Sequence, residues 1–375
     1  MRQDWKYISF EECLVKVPKQ KAVKSKDYLD EGLYPIVSQE SDLISGYSND
    51  ESLLYKHEKP IVIFGDHTKN IKYIDFDFIV GADGVHILSV KDNILPRFFY
   101  YELCSIKLRN LGYARHYKLL KEKEIGYPEK AEQERIVTLL DTEFEKIDQL
   151  KANADLQLRA AKDLFQSALK QLLTPKEGWV EKTLGSICIS IKDGDWIEKK
   201  DQSPTGIRLL QTGNIGVGIY KDKSDSPHYI SLDTFNRLHC EEVFAGDILL
   251  SRLPEPVGRA CLVPKMEGRF ITAVDCSIIK VHTEKVTPEY LIYYTQTNAY
   301  FKSISSLCTG TTRQRISRKK LEEVSISFPP LAEQERIAAR LDAISEKVKA
   351  LQANYDQTIT LCNDLKQSLL KSIFA

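Results

Sequence analysis

The sequence has no G-x-x-x-x-G-K-[ST] loop to cradle nucleotide phosphates, so nothing in it supports ATP hydrolysis. It has no Gly-x-Ser-x-Gly elbow for a serine nucleophile. Cysteines occur at positions 13, 104, 188, 240, 261, 276, 308 and 362, and no two form the C-x-x-C pair of a zinc site. No apolar run approaches the roughly 20 residues that a membrane span needs. The start, Met1-Arg2-Gln3-Asp4-Trp5, lacks the apolar stretch of a signal peptide. A cytoplasmic protein with reduced, buried thiols is therefore expected, with no metal of its own. Phe328-Pro329-Pro330-Leu331 lacks the polar first residue with which an amino-methyltransferase motif would hold its target amine. Glu198-Lys199-Lys200, downstream of Asp193 and Asp195, has the E-x-K form found in nucleases, a pattern common by chance. Excess charge is also missing: 53 basic residues balance 53 acidic ones, which argues against a generic nucleic-acid binder. The absences describe a chain that binds rather than catalyses and carries no cofactor of its own.

What is present is a repeat. Residues 131–174 begin Ala131-Glu132-Gln133-Glu134-Arg135-Ile136, and residues 332–375 begin Ala332-Glu333-Gln334-Glu335-Arg336-Ile337. The two segments align without gaps, and 20 of 44 positions are identical. Neither contains Gly, and Pro is absent until Pro175 closes the first. In the second copy, apolar residues fall three and four apart at Ile337, Leu341, Ile344, Val348 and Leu351, a heptad seam. Ile136, Leu140, Ile147 and Leu150 read in the same register, continuing through Leu164. About 42 residues at ~1.5 Å each give a rod of ~60 Å. The simplest partner for each seam is the other, so an antiparallel coiled coil with pseudo-two-fold symmetry is expected.

Each helix follows a different globular segment. The spacing predicts domains at 1–130 and 175–331, with spacer helices at 131–174 and 332–375. Both globular segments open on tryptophan, Trp5 and Trp179, and show short strands. Those near 61–64, 71–74 and 85–88 belong to the first, and those near 247–250, 260–263 and 277–281 to the second. Helices near 96–106 and 288–302 each start at Pro. The fold class is a mixed α/β (α+β) arrangement of two globular domains joined by two long helices. Outside the helical repeat the two segments align poorly, which suggests one fold with two surfaces.

The balanced charge is unevenly placed. No acidic residue lies between Leu103 and Lys121, a stretch holding Lys107, Arg109, Arg115, His116, Lys118 and Lys121 with Tyr113 and Tyr117 interleaved. None lies between Lys302 and Leu321, which holds Arg313, Arg315, Arg318, Lys319 and Lys320. Both stretches sit just before a copy of the helix. Arg can pair bidentately with guanine, Gln with adenine, and Lys or Arg can neutralise phosphate. Gly310-Thr311-Thr312-Arg313-Gln314-Arg315 is therefore a candidate reading loop, with Arg315 or Arg313 as base-reading residues. Weaker candidates follow strands: His67 and Lys69 in Gly65-Asp66-His67-Thr68-Lys69, Asn214 in Gln211-Thr212-Gly213-Asn214, and Arg252 in Ser251-Arg252-Leu253-Pro254. For these a plain turn or cap role competes with DNA contact.

The string Pro329-Pro330-Leu331-Ala332-Glu333-Gln334-Glu335-Arg336-Ile337 follows a basic loop and enters a heptad helix. With the doubled architecture, it resembles the specificity subunits of type I restriction-modification systems. Gln211-Thr212-Gly213-Asn214-Ile215 and Pro256-Val257-Gly258-Arg259-Ala260 resemble recurring strings of their target-recognition domains. The first copy departs from the pattern, with Tyr127-Pro128-Glu129-Lys130 before the helix. The resemblance implies that each domain reads one half of a bipartite, asymmetric target in double-stranded DNA. It implies that the paired helices set the gap and dock methyltransferase subunits, two of them, and that restriction subunits join this core. S-adenosylmethionine, ATP and Mg²⁺ would then belong to the partner subunits. The alternatives are a coiled-coil scaffold that touches no DNA, a metal-dependent nuclease using Glu198 and Lys200, and the specificity subunit of a methylation-only or type II-like system.

Overall fold

With no Gly or Pro to interrupt them, both copies of the repeat form unbroken helices of 44 residues, Lys130–Leu173 and Leu331–Phe374. The computed structural model describes residues 4–82, 84–112, 114–310 and 314–374. Two compact units divide the chain: Met1–Asp155 with Tyr355–Ala375, and Leu156–Asn354. Each unit thus takes one globular segment and one end of each long helix.

In the first unit the two helices run antiparallel. Lys366 Nζ reaches Asp148 Oδ1 at 2.6 Å and Lys151 Nζ reaches Asn363 Oδ1 at 2.6 Å, so one helix descends as the other rises. Ile136 and Leu140 share a core with Leu370 and Ile373. In the second unit, Leu169, Leu172 and Leu173 share a core with Ile337, Ala338 and Leu341. Ile147 is buried, and Ile344, Val348 and Leu351 are half-buried, as a seam requires.

Two seam residues need correction. Leu150 is 56 % exposed and Leu164 65 % exposed. The buried and half-buried positions instead run Leu140, Phe144, Ile147, Lys151, Ala154, Leu158, Ala161, Phe165, Ala168 and Leu172. Those steps alternate four and three without a break. After Ile147 the step is four, to a lysine, and not three, to a leucine. Lys151 lies half-buried in the seam and sends its ammonium to Asn363, so a charged residue hid the true register.

The globular part of each unit is a mixed α/β structure. In the first, four antiparallel strands lie in the order Leu14–Val15, Val85–Val90, Ile61–Gly65, Ile71–Ile74. In the second unit the order is Cys188–Asp193, Cys276–Val281, Ile248–Ser251, Ala260–Leu262. A second sheet in each is built around one parallel pair: Tyr34–Val37 with Phe78–Val80, and Ile207–Leu210 with Phe270–Thr272. One fold therefore occurs twice, although the segments share little sequence. The helix expected over 288–302 is two helices, Pro288–Tyr294 and Asn298–Leu307. Thr297 divides them: its hydroxyl accepts from the Tyr300 N–H at 3.2 Å and caps the second.

The shared Ala-Glu-Gln-Glu-Arg string has a structural meaning. Gln133 is fully buried; its Oε1 accepts from Leu95 N at 2.8 Å, and its Nε2 donates to Asn93 O and Pro128 O, both at 2.9 Å. Gln334 does the same, accepting from Thr287 N at 2.9 Å and donating to Lys285 O at 2.9 Å and Pro329 O at 2.8 Å. Each amide ties the first turn of a long helix to the loop that starts a domain helix. The flanking pairs, Glu132–Arg135 and Glu333–Arg336, are surface bridges at 2.7 and 2.6 Å and contribute little. Gln334→Ala, which strips a buried side chain's partners from three backbone groups, should cost roughly 2–4 kcal/mol. Urea unfolding checks this, and Glu333→Ala should shift the midpoint far less.

Glu102 supplies a pH handle in the first unit. Its Oε1 accepts from Gly126 N at 2.7 Å, but burial pushes its carboxyl up to about 8. In the unfolded chain the group ionises near the ordinary glutamate value. Between that value and about 8 only the folded state holds the proton, so stability falls as pH rises through this window. Glu102→Gln should flatten that slope, and unfolding midpoints of the two proteins from pH 5 to 8.5 should diverge with the variant the more stable at high pH.

Candidate nucleic-acid interface

The four-stranded antiparallel sheet of each unit places the candidate loops. In the second unit, the Ile248–Ser251 strand delivers Arg252 to the end of the antiparallel sheet. Arg252 N donates to Asp275 O at 2.9 Å, and Arg252 O accepts from Ile316 N at 3.4 Å. Its side chain is buried, with Nη2 2.5 Å from Val274 O and 3.5 Å from Asp193 Oδ1. Burial lowers the guanidinium pKa and Asp193 opposes that. Next to it, Arg315 Nη2 meets Asp275 Oδ1 at 2.9 Å, and the arginine stays 47 % exposed. Thr309 and Arg315 exchange backbone hydrogen bonds of 2.9 Å, closing the loop that holds Gly310 at φ +100°. Thr312 and Arg313 lie outside the described residues. Gln314 is exposed, and Arg318 is exposed 3.6 Å from Glu322 on a short helix capped by Ser317.

In the first unit, the Ile61–Gly65 strand delivers Asp66 to the matching sheet end. Its buried carboxylate accepts from Tyr117 N at 2.8 Å, lies 3.3 Å from His86 Nε2, and lies 3.9 Å from Arg115 Nε. Burial pushes its pKa up, but the Tyr117 N–H and His86 outweigh that and hold it below the usual range. His86 stacks on Tyr117 with ring centres 3.8 Å apart. Arg115 is 81 % exposed, and Lys118 is exposed on the short Tyr117–Lys121 helix. His67 and Lys69 are half-buried; the loop carrying them is fastened to Gln39, whose carbonyl accepts from Thr68 Oγ1 at 2.6 Å. Tyr113 lies outside the described residues.

Three expected contact residues are structural instead. His116 is enclosed; its Nδ1 donates to Asp66 O at 3.0 Å and its Nε2 accepts from Leu111 N at 3.1 Å. Asn214 is buried and caps its own turn, accepting from Gln211 N at 2.9 Å and donating to Lys221 O at 3.0 Å. Arg252 is buried as described. Their polar character in loops suggested contact with a ligand, but these side chains fold inward to hold the loops. Glu198 pairs with Lys200 at 2.7 Å on the surface, and among the described residues no three His, Cys, Asp or Glu converge to hold a metal.

Sequence reasoning passed over Asp275, Trp196 and the role of Arg259. Trp196 is 69 % exposed, three residues past Asp193. Arg259 is buried and donates to five carbonyls, of Ile215, Leu253, Pro254, Pro256 and Thr212, at 2.6–3.1 Å. It fastens the Gln211–Ile215 turn to the Leu253–Pro256 loop.

The comparisons agree with this architecture. The profile described as type I restriction modification DNA specificity domain matches residues 2–158 and 176–361. The Escherichia coli EcoR124I/EcoR124II specificity subunit is 26 % identical over 368 residues, covering 92 % of this chain and 87 % of that one. The EcoKI specificity subunit, also of Escherichia coli, is 25 % identical over 267 residues, 67 % of this chain and 56 % of that one. A chain from a structure of the assembly and conformational transition of the type I R-M system superposes with a TM-score of 0.71 at 19 % identity, covering 100 % and 98 %. The HsdS subunit of Thermoanaerobacter tengcongensis superposes at 0.51 with 19 % identity, covering 100 % and 97 %. The chain belongs to the family of type I restriction-modification DNA specificity subunits.

Replacing Arg259 by Ala should strip five carbonyls, that of buried Ile215 among them, of their shared donor and cost about 3 kcal/mol. Denaturant unfolding measures it, and a variant as stable as the wild type would show that the clamp carries no weight.

Proposed function

We propose that this chain is the DNA-reading subunit of a type I restriction-modification complex, in which each globular domain reads one half of a bipartite, asymmetric target. The observation that carries this reading is the duplication: one domain fold, twice, with unlike charged loops at the same sheet end, each followed by the same long helix. Like helices are suited to binding two like partners, so two methyltransferase subunits dock on them and restriction subunits join that core. The chain is non-catalytic; S-adenosylmethionine, ATP and Mg²⁺ are held by the partners. Among the described residues no helix is long and apolar enough to cross a membrane, and a complex that modifies DNA works in the cytoplasm. Arg315, Gln314, Arg318, Arg115, Lys118, Lys69 and His67 are the described candidates for contact with bases or phosphates, and Thr312 and Arg313 belong to the same loop.

The helices act as the ruler of the gap. Removing one heptad from each keeps the four-three seam in register and shortens each rod by roughly 10 Å, about three base pairs of duplex. Methylation mapping with the shortened protein should show a gap shorter by about three base pairs, or no methylation where the complex no longer assembles. An unchanged gap would contradict the ruler.

A further inference from the structure

The two sheet ends can be superposed residue by residue through backbone hydrogen bonds alone. Gly65 pairs with Val85 as Ser251 pairs with Cys276. One residue further on, Asp66 N bonds Gly84 O at 2.7 Å as Arg252 N bonds Asp275 O at 2.9 Å. Asp66 O accepts from His116 N at 2.9 Å as Arg252 O accepts from Ile316 N at 3.4 Å. Asp66 therefore corresponds to Arg252, Gly84 to Asp275, and His116 to Ile316. The residue just before the last pair is arginine in both domains: Arg115 and Arg315.

Nearly everything around that position differs. In the first domain the carboxylate near the arginine, Asp66, follows the central strand. In the second that place is taken by Arg252, and the carboxylate, Asp275, comes from the neighbouring strand. The anchoring charge has changed strands while the arginine has kept its place. Were the ion pair only a loop fastening, either sign order would serve. The retained element is an exposed guanidinium with a carboxylate beside it. Asp275 Oδ1 approaches Arg315 Nη2 at 2.9 Å, Asp66 Oδ2 stays 3.9 Å from Arg115 Nε, and both guanidinium groups remain exposed, at 47 % and 81 %.

Resting on the reading of the chain as a DNA-specificity subunit, we propose that Arg115 and Arg315 are the matched base-reading residues of the two domains. Each takes the O6/N7 edge of a guanine in its own half-site. Asp66 and Asp275 are positioning residues.

The test uses the full chain assembled with its methyltransferase, carrying Arg115→Lys or Arg315→Lys. Lysine keeps a charge for the carboxylate but lacks the planar fork that fits the guanine edge. Each variant should keep the wild-type melting temperature and lose discrimination at one guanine, roughly 5- to 100-fold, in one half-site only, with the two variants affecting opposite half-sites. Asp275→Asn should lose part of the discrimination at the guanine that Arg315→Lys affects and leave the other half-site unchanged. An unchanged methylation motif in both lysine variants, both altering the same half-site, or a half-site without guanine would overturn the inference. An Asp275→Asn variant with full discrimination at that guanine, or with an altered preference in the other half-site, would also overturn it. A wild-type complex with no bipartite motif would instead defeat the functional reading itself, which separates the two failures.

Discussion

Everything distinctive in this chain hangs on one buried carboxamide in each half. An amide has one acceptor and two donors in a fixed plane, and Gln133 and Gln334 use them on three backbone groups, two in the loop that starts a domain helix and one at the proline just before the long helix. The bond set fixes the angle at which each long helix leaves its domain. The small strand pairs reinforce it, since Lys6–Ser9 with Glu124–Tyr127, and Val180–Thr183 with Ser325–Phe328, bring the start of each domain to the strand that feeds the helix. Asp141 and Asp342 add a second fastening a few turns along, where they accept hydrogen bonds from Tyr101 and Tyr293. Two domains with dissimilar sequences thus share one way of holding a rod.

The sequence was most legible where the physics is periodic or repeated. The long helices, the strands and the mixed fold followed from spacing and composition. The seam misled at Leu150 and Leu164 because periodicity counts apolar atoms, and Lys151 buries its stem in the seam while its ammonium escapes to Asn363. The sites were less legible for a related reason. A polar residue in a loop looks the same on paper whether it faces solvent or braces the loop. His116, Asn214 and Arg252 brace, while Arg115 and Arg315 stand outward. Only hydrogen-bond partners separate the two cases, and these can be distant in sequence, as Asp66 is for His116 and Val274 for Arg252, or as near as Gln211 and Lys221 for Asn214.

Asymmetry within a duplicated frame is what makes such a chain useful as a reader. A symmetric pair of surfaces would recognise a palindrome. Here the sheet ends carry an aspartate–histidine–tyrosine cluster in one domain and a pair of arginine–aspartate contacts in the other. One backbone scaffold thus carries unlike charges in the two domains, while the two long helices share their sequence and their fastening to the domains.

The most direct measurement is a methylation map of DNA from cells carrying this chain with its methyltransferase. The account predicts a motif that depends on the chain and consists of two unlike half-sites separated by a gap of fixed length and variable sequence. A single continuous motif, a palindrome, or methylation indifferent to the presence of the chain would contradict it.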